Sequence, residues 1–399
     1  MADAPQRIGV VGAGTMGAGI AQLGCLAGME TVLHDPIGPA LENGVAAVHS
    51  NIDKGAERGR WSADDARSAH ERLRAAATLD ELAGCELVIE AAPEKFELKR
   101  ELFQKLRDVC GDDAVLATNT SSIPVTQIAG STRKPENVVG LHFFNPAPLM
   151  KLVELIAALQ SGERALAVAR ATGEAMGKRV IDASDGPGFL VNRCGRPFAS
   201  EGLRLLQERL ATHEEIDRIY RVGGGYRMGP FELMDLVGID VGFAVAQSFM
   251  ELSFGEPRWR PNPLQARMVA AGRLGRKTGI GWYEYAEGRA YRPDDPPDAK
   301  LTEHEAQLLD RVQCCIVNEA VFALGEGVGS AEDIDAGVKL GLNWPKGSIE
   351  LGRELGFEHV LATMDALWDR YREERYRAAP LLREGAVSLG RKVRSASSS

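Results

Sequence analysis

Arg7-Ile8-Gly9-Val10-Val11-Gly12-Ala13-Gly14-Thr15-Met16-Gly17 decides the fold of this chain. Arg7 to Val11 reads as a short buried strand that runs straight into a G-x-G-x-x-G turn. An Ala/Gly/Leu-rich helix follows, Ala18 to Ala27, and a second strand, Glu30 to His34, ends on Asp35. Each glycine answers a different need. Gly12 allows the tight turn, Gly14 lets backbone approach a pyrophosphate, and Gly17 lets helix pack on strand. The helix N-terminus offers unpaired N–H groups to phosphates. Asp35 falls where a carboxylate accepts from an adenosine ribose and repels a 2′-phosphate, which favours NAD over NADP. The motif alone is weak; strand before, helix after and acid at the end of the second strand make it a dinucleotide site. The expected cofactor contacts are therefore Gly12, Ala13, Gly14, Thr15, Met16, Gly17 and Asp35.

Working outward, 399 residues imply two or three domains. Hydrophobic content of 44% with 26% charged residues fits a globular protein with a full core. A net charge of −9 argues against a general nucleic-acid binder, and no apolar run is long enough to span a bilayer. Six cysteines show no C-x-x-C and no metal spacing, so buried thiols are expected and no metal. With a strand beginning at Arg7, no leader is expected, and the expected location is the cytoplasm.

After Asp35 come two helices, Pro39 to Arg58 and Trp61 to Arg74, the second with Ser62 as N-cap. Lys54 and Arg58 share a face of the first. They are a solvated basic stripe unless an anionic substrate lies beside the cofactor. Strands at Cys85–Glu90, Ala114–Thr118 and Val138–Phe144 alternate with helices, which implies a parallel doubly wound sheet. Ligands in such sheets sit beyond strand carboxyl ends, where Glu94, Ser121 and His142 fall. Two apolar runs, Leu141–Phe144 and Lys151–Ile156, flank Asn145-Pro146-Ala147-Pro148. If they pair antiparallel around Pro148, His142 opposes Glu154 on one face. A carboxylate on one ring nitrogen fixes the tautomer and stabilises the imidazolium, as a general base for an alcohol proton requires. A purely structural His/Glu pair is the competing reading.

Asp185-Gly186-Pro187-Gly188 marks a domain boundary. Beyond it the chain reads as helical twice over. Glu214-Glu215-Ile216-Asp217 recurs as Glu332-Asp333-Ile334-Asp335, and an offset of 118 also carries Glu201 to Glu319, Gly229 to Gly347 and Gly238 to Gly356. Asn192 meets Asp310 in the copy, so chemistry needing that amide belongs to the first copy. The expected domains are 1–185 (the sheet domain), 186–286 (first helical domain), 287–300 (linker), 301–389 (second, degenerate helical domain) and 390–399 (a disordered tail).

At this point the chain resembles the L-3-hydroxyacyl-CoA dehydrogenase family, over nearly its whole length. The resemblance is carried by the glycine motif, Asn119-Thr120-Ser121-Ser122, His142-Phe143-Phe144-Asn145-Pro146, Gly186-Pro187-Gly188-Phe189 with Val191-Asn192-Arg193, and Gly229-Pro230-Phe231-Glu232. It implies a Rossmann-type α/β domain followed by two all-α domains related by duplication. It implies NAD-dependent oxidation of a (3S)-3-hydroxyacyl-CoA, with His142 as base, Glu154 as its partner, and Ser121 and Asn192 on the substrate. Family NAD contacts match Glu94, Lys99, Ser121, Asn145 and Lys277 beside Asp35, and the residues that meet CoA phosphates match Lys54 and Arg58. Shorter members carry one helical domain and dimerise through it, so an acyl-CoA substrate and either a monomer with an internal pseudo-dimer or a homodimer are expected. Fatty-acid, butanoate or phenylacetate-type breakdown fits such an enzyme. A dehydrogenase of a free hydroxy acid, such as carnitine or a sugar acid, and a non-catalytic NAD-binding protein are the alternatives.

Overall fold

The computed structural model describes residues 3–286, 289–290, 295–296 and 298–385. The chain divides into two compact units, the first running to Phe189 and the second starting at Leu190. The break thus falls four residues past the expected Asp185. Asp185 itself belongs to the sheet unit, because its carboxylate accepts from Val125 N and Thr126 N at 2.9 and 2.6 Å.

The first unit is one eight-stranded sheet. Its strands are β1 (Arg7–Val11), β2 (Glu30–His34), β3 (Leu73–Ala76), β4 (Leu87–Glu90), β5 (Val115–Thr118), β6 (Val138–Phe143), β7 (Leu152–Ala157) and β8 (Arg179–Ser184). They lie in the order β3-β2-β1-β4-β5-β6-β7-β8. All neighbours are parallel except β6 and β7, which form the antiparallel hairpin. Near-continuous apolar runs such as Leu87-Val88-Ile89 are what a sheet covered on both faces requires, and these residues are fully buried. The covering helices are α1 (Thr15–Leu26), α2 (Gly38–Glu57), α3 (Ala63–Arg72), α4 (Phe96–Cys110), α5 (Val125–Ala129) and α6 (Glu163–Ala175).

Leu73 and Arg74, expected at the end of a helix, begin the edge strand β3. Pairing with β2 overrides the helical preference of a Leu-Arg-Ala-Ala stretch. Trp61 precedes α3 rather than opening it. Its indole N–H donates to Ile52 O at 2.9 Å and its ring lies over Gly55, where a Cβ would come within 1.8 Å. Ser62 does cap α3, accepting from Asp65 N at 3.0 Å in a capping box.

The second unit is helical: α7 (Val191–Gln207), α8 (His213–Val222), α9 (Pro230–Val237), α10 (Ile239–Leu252), α11 (Pro263–Ala270), α12 (Glu303–Gly325), α13 (Ala331–Gly341), α14 (Ser348–Leu355), α15 (Phe357–Tyr371) and α16 (Pro380–Arg383). The expected duplication is visible in hydrogen bonds. Asp217 accepts from Phe231 N and Glu232 N, and Asp335 from Ile349 N and Glu350 N. Every donor and acceptor in the second set stands 118 residues after its counterpart. The two copies, expected as separate domains, share one unit, and α7 packs on α12. Much of the expected 287–300 linker and all of the 390–399 tail lie outside the described residues. Among the described residues no single helix is long and apolar enough to cross a membrane; the pair α9 and α10, bent by 99°, meets that length and composition only together.

Candidate active site

The glycine turn sits between β1 and α1 as its sequence requires. Gly12 has φ +99°, and a Cβ there would lie 2.6 Å from Ala91 O. A Cβ on Gly17 would lie 1.7 Å from Gly12 O, so helix and turn close on each other only through glycine. Gly14 is the opposite case: a Cβ there would meet nothing within 4 Å. That open space borders the N-terminus of α1, whose first turn carries no acidic residue and no side-chain cap. A pyrophosphate fits this combination of bare N–H groups and missing side chain. Asp35 Oδ2 accepts from Ala13 N and Oδ1 from Ile37 N, each at 2.9 Å. Each oxygen keeps a lone pair for a ribose hydroxyl. Asp35 therefore braces the turn.

At the ends of β4 and β5, Glu94 organises the loop that carries Ser121. Its Oε1 accepts from Ser121 N, Ser122 N, Ser122 Oγ and Thr120 Oγ. Burial pushes Glu94 up, but the Lys99 ammonium and these donors outweigh it and hold the carboxyl below its usual range. Lys99 is 1% exposed. Its ammonium lies 2.6 Å from Glu90 Oε1 and 3.4 Å from Glu94 Oε2. Lys99 thus reaches the site through Glu94 rather than as an open cation.

The hairpin delivers the centre. His142 pairs with Glu154 across β6 and β7, in the expected register. His142 Nδ1 lies 2.7 Å from Glu154 Oε2, with the two residues 5% and 0% exposed. A carboxylate only accepts, so Nδ1 carries the proton and donates it. The neutral ring then keeps a lone pair on Nε2, which lies 3.2 Å from Ser121 Oγ. Ser121 donates to it, giving a chain Ser121–His142–Glu154 that ends in an exposed hydroxyl.

Several residues that build this arrangement carried no assigned role in the sequence. Asn119 Oδ1 accepts from Phe143 N at 2.8 Å and so ties the end of β5 to that of β6. Lys178 is buried, and its ammonium donates to Ala147 O and Met150 O, each at 2.7 Å, holding the hairpin turn. Burial pushes Lys178 down to about 8. The turn rests against α1 at Gly19, where a Cβ would lie 2.9 Å from Pro148 Cδ. Phe189 packs its ring 5.6 Å from that of His142, and its backbone has φ +50°, a strained conformation for a large side chain. Nothing in the sequence Gly186-Pro187-Gly188-Phe189 signals that strain.

The other expected site residues are placed as follows. Asn145 is exposed in the hairpin turn, in a cis bond to Pro146. Lys54 lies in the last turn of α2 and Arg58 caps that helix one residue past its end; both are exposed. Asn192 is the second residue of α7, in the helical unit. Lys277 belongs to the same unit, with its ammonium 2.6 Å from Asp240.

Residues 7–186 match the NAD-binding domain model of 3-hydroxyacyl-CoA dehydrogenase, and residues 188–285 and 308–397 match the C-terminal domain model of the same family. The second match covers both helical copies. The chain is 34% identical to a 3-hydroxyadipyl-CoA dehydrogenase of Escherichia coli K12, over 96% of this chain and 98% of that one. It is 40% identical to a 3-hydroxybutyryl-CoA dehydrogenase of Mycobacterium tuberculosis, over 71% of this chain and all of the shorter relative. A solved structure of 3-hydroxybutyryl-CoA dehydrogenase from Escherichia coli K12 superposes with a TM-score of 0.88 at 33% identity, over 96% of this chain and 98% of that one.

Proposed function

This chain belongs to the 3-hydroxyacyl-CoA dehydrogenase family, whose members are NAD-dependent oxidoreductases, and from that premise we propose that it oxidises the 3-hydroxyl of a (3S)-3-hydroxyacyl-CoA through His142. The observation that carries this reading is the buried Glu154 carboxylate on Nδ1, which leaves Nε2 of His142 unprotonated and hydrogen-bonded to an exposed serine hydroxyl. His142 Nε2 takes the hydroxyl proton. Glu154 holds the ring in place and stabilises the imidazolium as it forms. Ser121 steadies the substrate oxygen so that geometry is set before bond breaking. Bound NAD would supply the hydride acceptor. Gly12 to Gly17 and Asp35 would hold its pyrophosphate and ribose, while Glu94 with Lys99 fixes the loop that carries Ser121. Asn145 and Lys277 are proposed cofactor contacts, and Asn192 a substrate contact, on the strength of their motifs. Lys54 and Arg58 are proposed to meet the CoA phosphates as exposed cations at the end of α2.

Of the two full-length relatives, one carries the name of a dicarboxylic acyl chain and the other, like the shorter relatives, that of a four-carbon chain. NADH consumption with acetoacetyl-CoA tests the reaction, and a panel running from hydroxybutyryl- to hydroxyadipyl-CoA tests the acyl group. His142→Gln is expected to abolish turnover, by a factor on the order of 10³ or more, while NADH still binds. Turnover that survives this change, or equal rates with the free acids, sinks the reading.

A further inference from the structure

The second helical copy has lost the asparagine of the first: Asp310 stands 118 residues after Asn192. What gathers around Asp310 is chemically distinct. Asp310 and Cys314 lie four residues apart on one face of α12, and His359 faces them from the first turn of α15. His359 Nε2 lies 2.7 Å from Asp310 Oδ1, and Cys314 Sγ lies 3.8 Å from the same oxygen. One ligand atom from each residue falls within 4.8 Å of the others.

We propose that Asp310, Cys314 and His359 form a three-ligand site for a zinc-type divalent ion that clamps α15 onto α12, with a fourth position open to solvent. A thiolate, an imidazole and a carboxylate are the three ligand types that zinc takes. A single carboxylate beside sulfur does not suit calcium or magnesium, which require sets of oxygens. Thiolate and carboxylate together also balance a doubly charged ion. With bonds of roughly 2.0 to 2.3 Å, tetrahedral ligands stand about 3.3 to 3.5 Å apart. The observed set needs shifts on the order of 1 Å, which the half-exposed His359 can supply. The same half-exposed histidine gives an ion a way in, whereas Cys314 is buried and supplies the fixed corner. Binding displaces the thiol proton to solvent. The cysteine spacing hid this site because its third member lies in another helix.

The test uses the full chain, reduced and stripped with a chelator, then titrated with Co²⁺ and with Zn²⁺. One equivalent of Co²⁺ is expected to give the visible bands of a tetrahedral ion and a thiolate charge-transfer band in the near ultraviolet, both removed by Zn²⁺. Cys314→Ser should lose the charge-transfer band. His359→Asn, at an exposed position that leaves folding and basal dehydrogenase activity intact, should weaken Zn²⁺ binding by on the order of 100-fold. Cys110→Ser should change neither. A charge-transfer band that survives Cys314→Ser, or equal Zn²⁺ affinity in wild type and His359→Asn, overturns the proposal.

Discussion

At Glu154 the choice between carboxylate and carboxamide decides which nitrogen of His142 holds the proton. A carboxylate accepts from Nδ1 and leaves Nε2 basic. A carboxamide can donate to Nδ1 instead, which moves the proton to Nε2 and removes the base. Glu154→Gln is therefore expected to lower kcat by on the order of 10² to 10⁴ with little change in KM. A loss confined to KM in steady-state kinetics would contradict the role. Lys178 makes a second prediction, in stability. Its folded-state value of about 8 lies below the unfolded 10.5. Between these values the unfolded chain binds the proton more tightly, so the lysine's contribution to stability rises from pH 8 toward 10.5 and falls away as pH drops through 8. Relative to Lys178→Met, wild type should gain about 1 kcal/mol per pH unit in that window. Urea melts at pH 8 and 9.5 measure it, and a difference that does not change with pH refutes the assignment.

The elements differ in how far their sequence announces them. Strands buried on both faces and helices with strong periodicity are legible, because burial writes a continuous apolar run into the first and an apolar residue at every third and fourth position into the second. The hairpin register was legible because two prolines fix the bend and only one pairing puts both apolar runs in the core. Strand β3 was not, since an edge strand with two exposed residues needs no such pattern. Lys178 is illegible as an organiser, because its partners are backbone carbonyls that any sequence supplies. The duplicated turn is legible down to single atoms. A Cβ on Gly229 would stand 2.2 Å from Asp217 Oδ1, and one on Gly347 would stand 2.3 Å from Asp335 Cγ. Each glycine is required by the carboxylate that caps the following helix. Gly229→Ala and Gly347→Ala should each destabilise the chain by roughly 1 to 3 kcal/mol. Denaturant midpoints that stay put in both variants would show that the two turns tolerate a side chain.

Taken over the whole helical unit, the repeat is more than a resemblance between halves. Arg193 Nε donates to Glu319 Oε1 at 2.9 Å, and Arg311 Nε to Glu201 Oε1 at 2.7 Å. Arg311 is the counterpart of Arg193 and Glu319 that of Glu201, so the first copy contacts the second as the second contacts the first. Such reciprocity is what a two-fold interface between like subunits would have. All four side chains are buried, and a buried ion pair specifies a partner more than it stabilises one, because losing either member strands the other charge. The shorter relatives match 71% of this chain over their whole length. A chain cut after residue 286 should therefore dimerise, with Arg193 of each copy meeting Glu201 of the other. In that truncated protein Arg193→Glu alone should yield monomers. Adding Glu201→Arg should restore the dimer, because reversing both charges on both copies rebuilds each pair. Sedimentation velocity on the three proteins decides it. A monomeric truncation, or a double variant that stays apart, would mean that the cross-paired arginines and glutamates do not encode a two-fold contact.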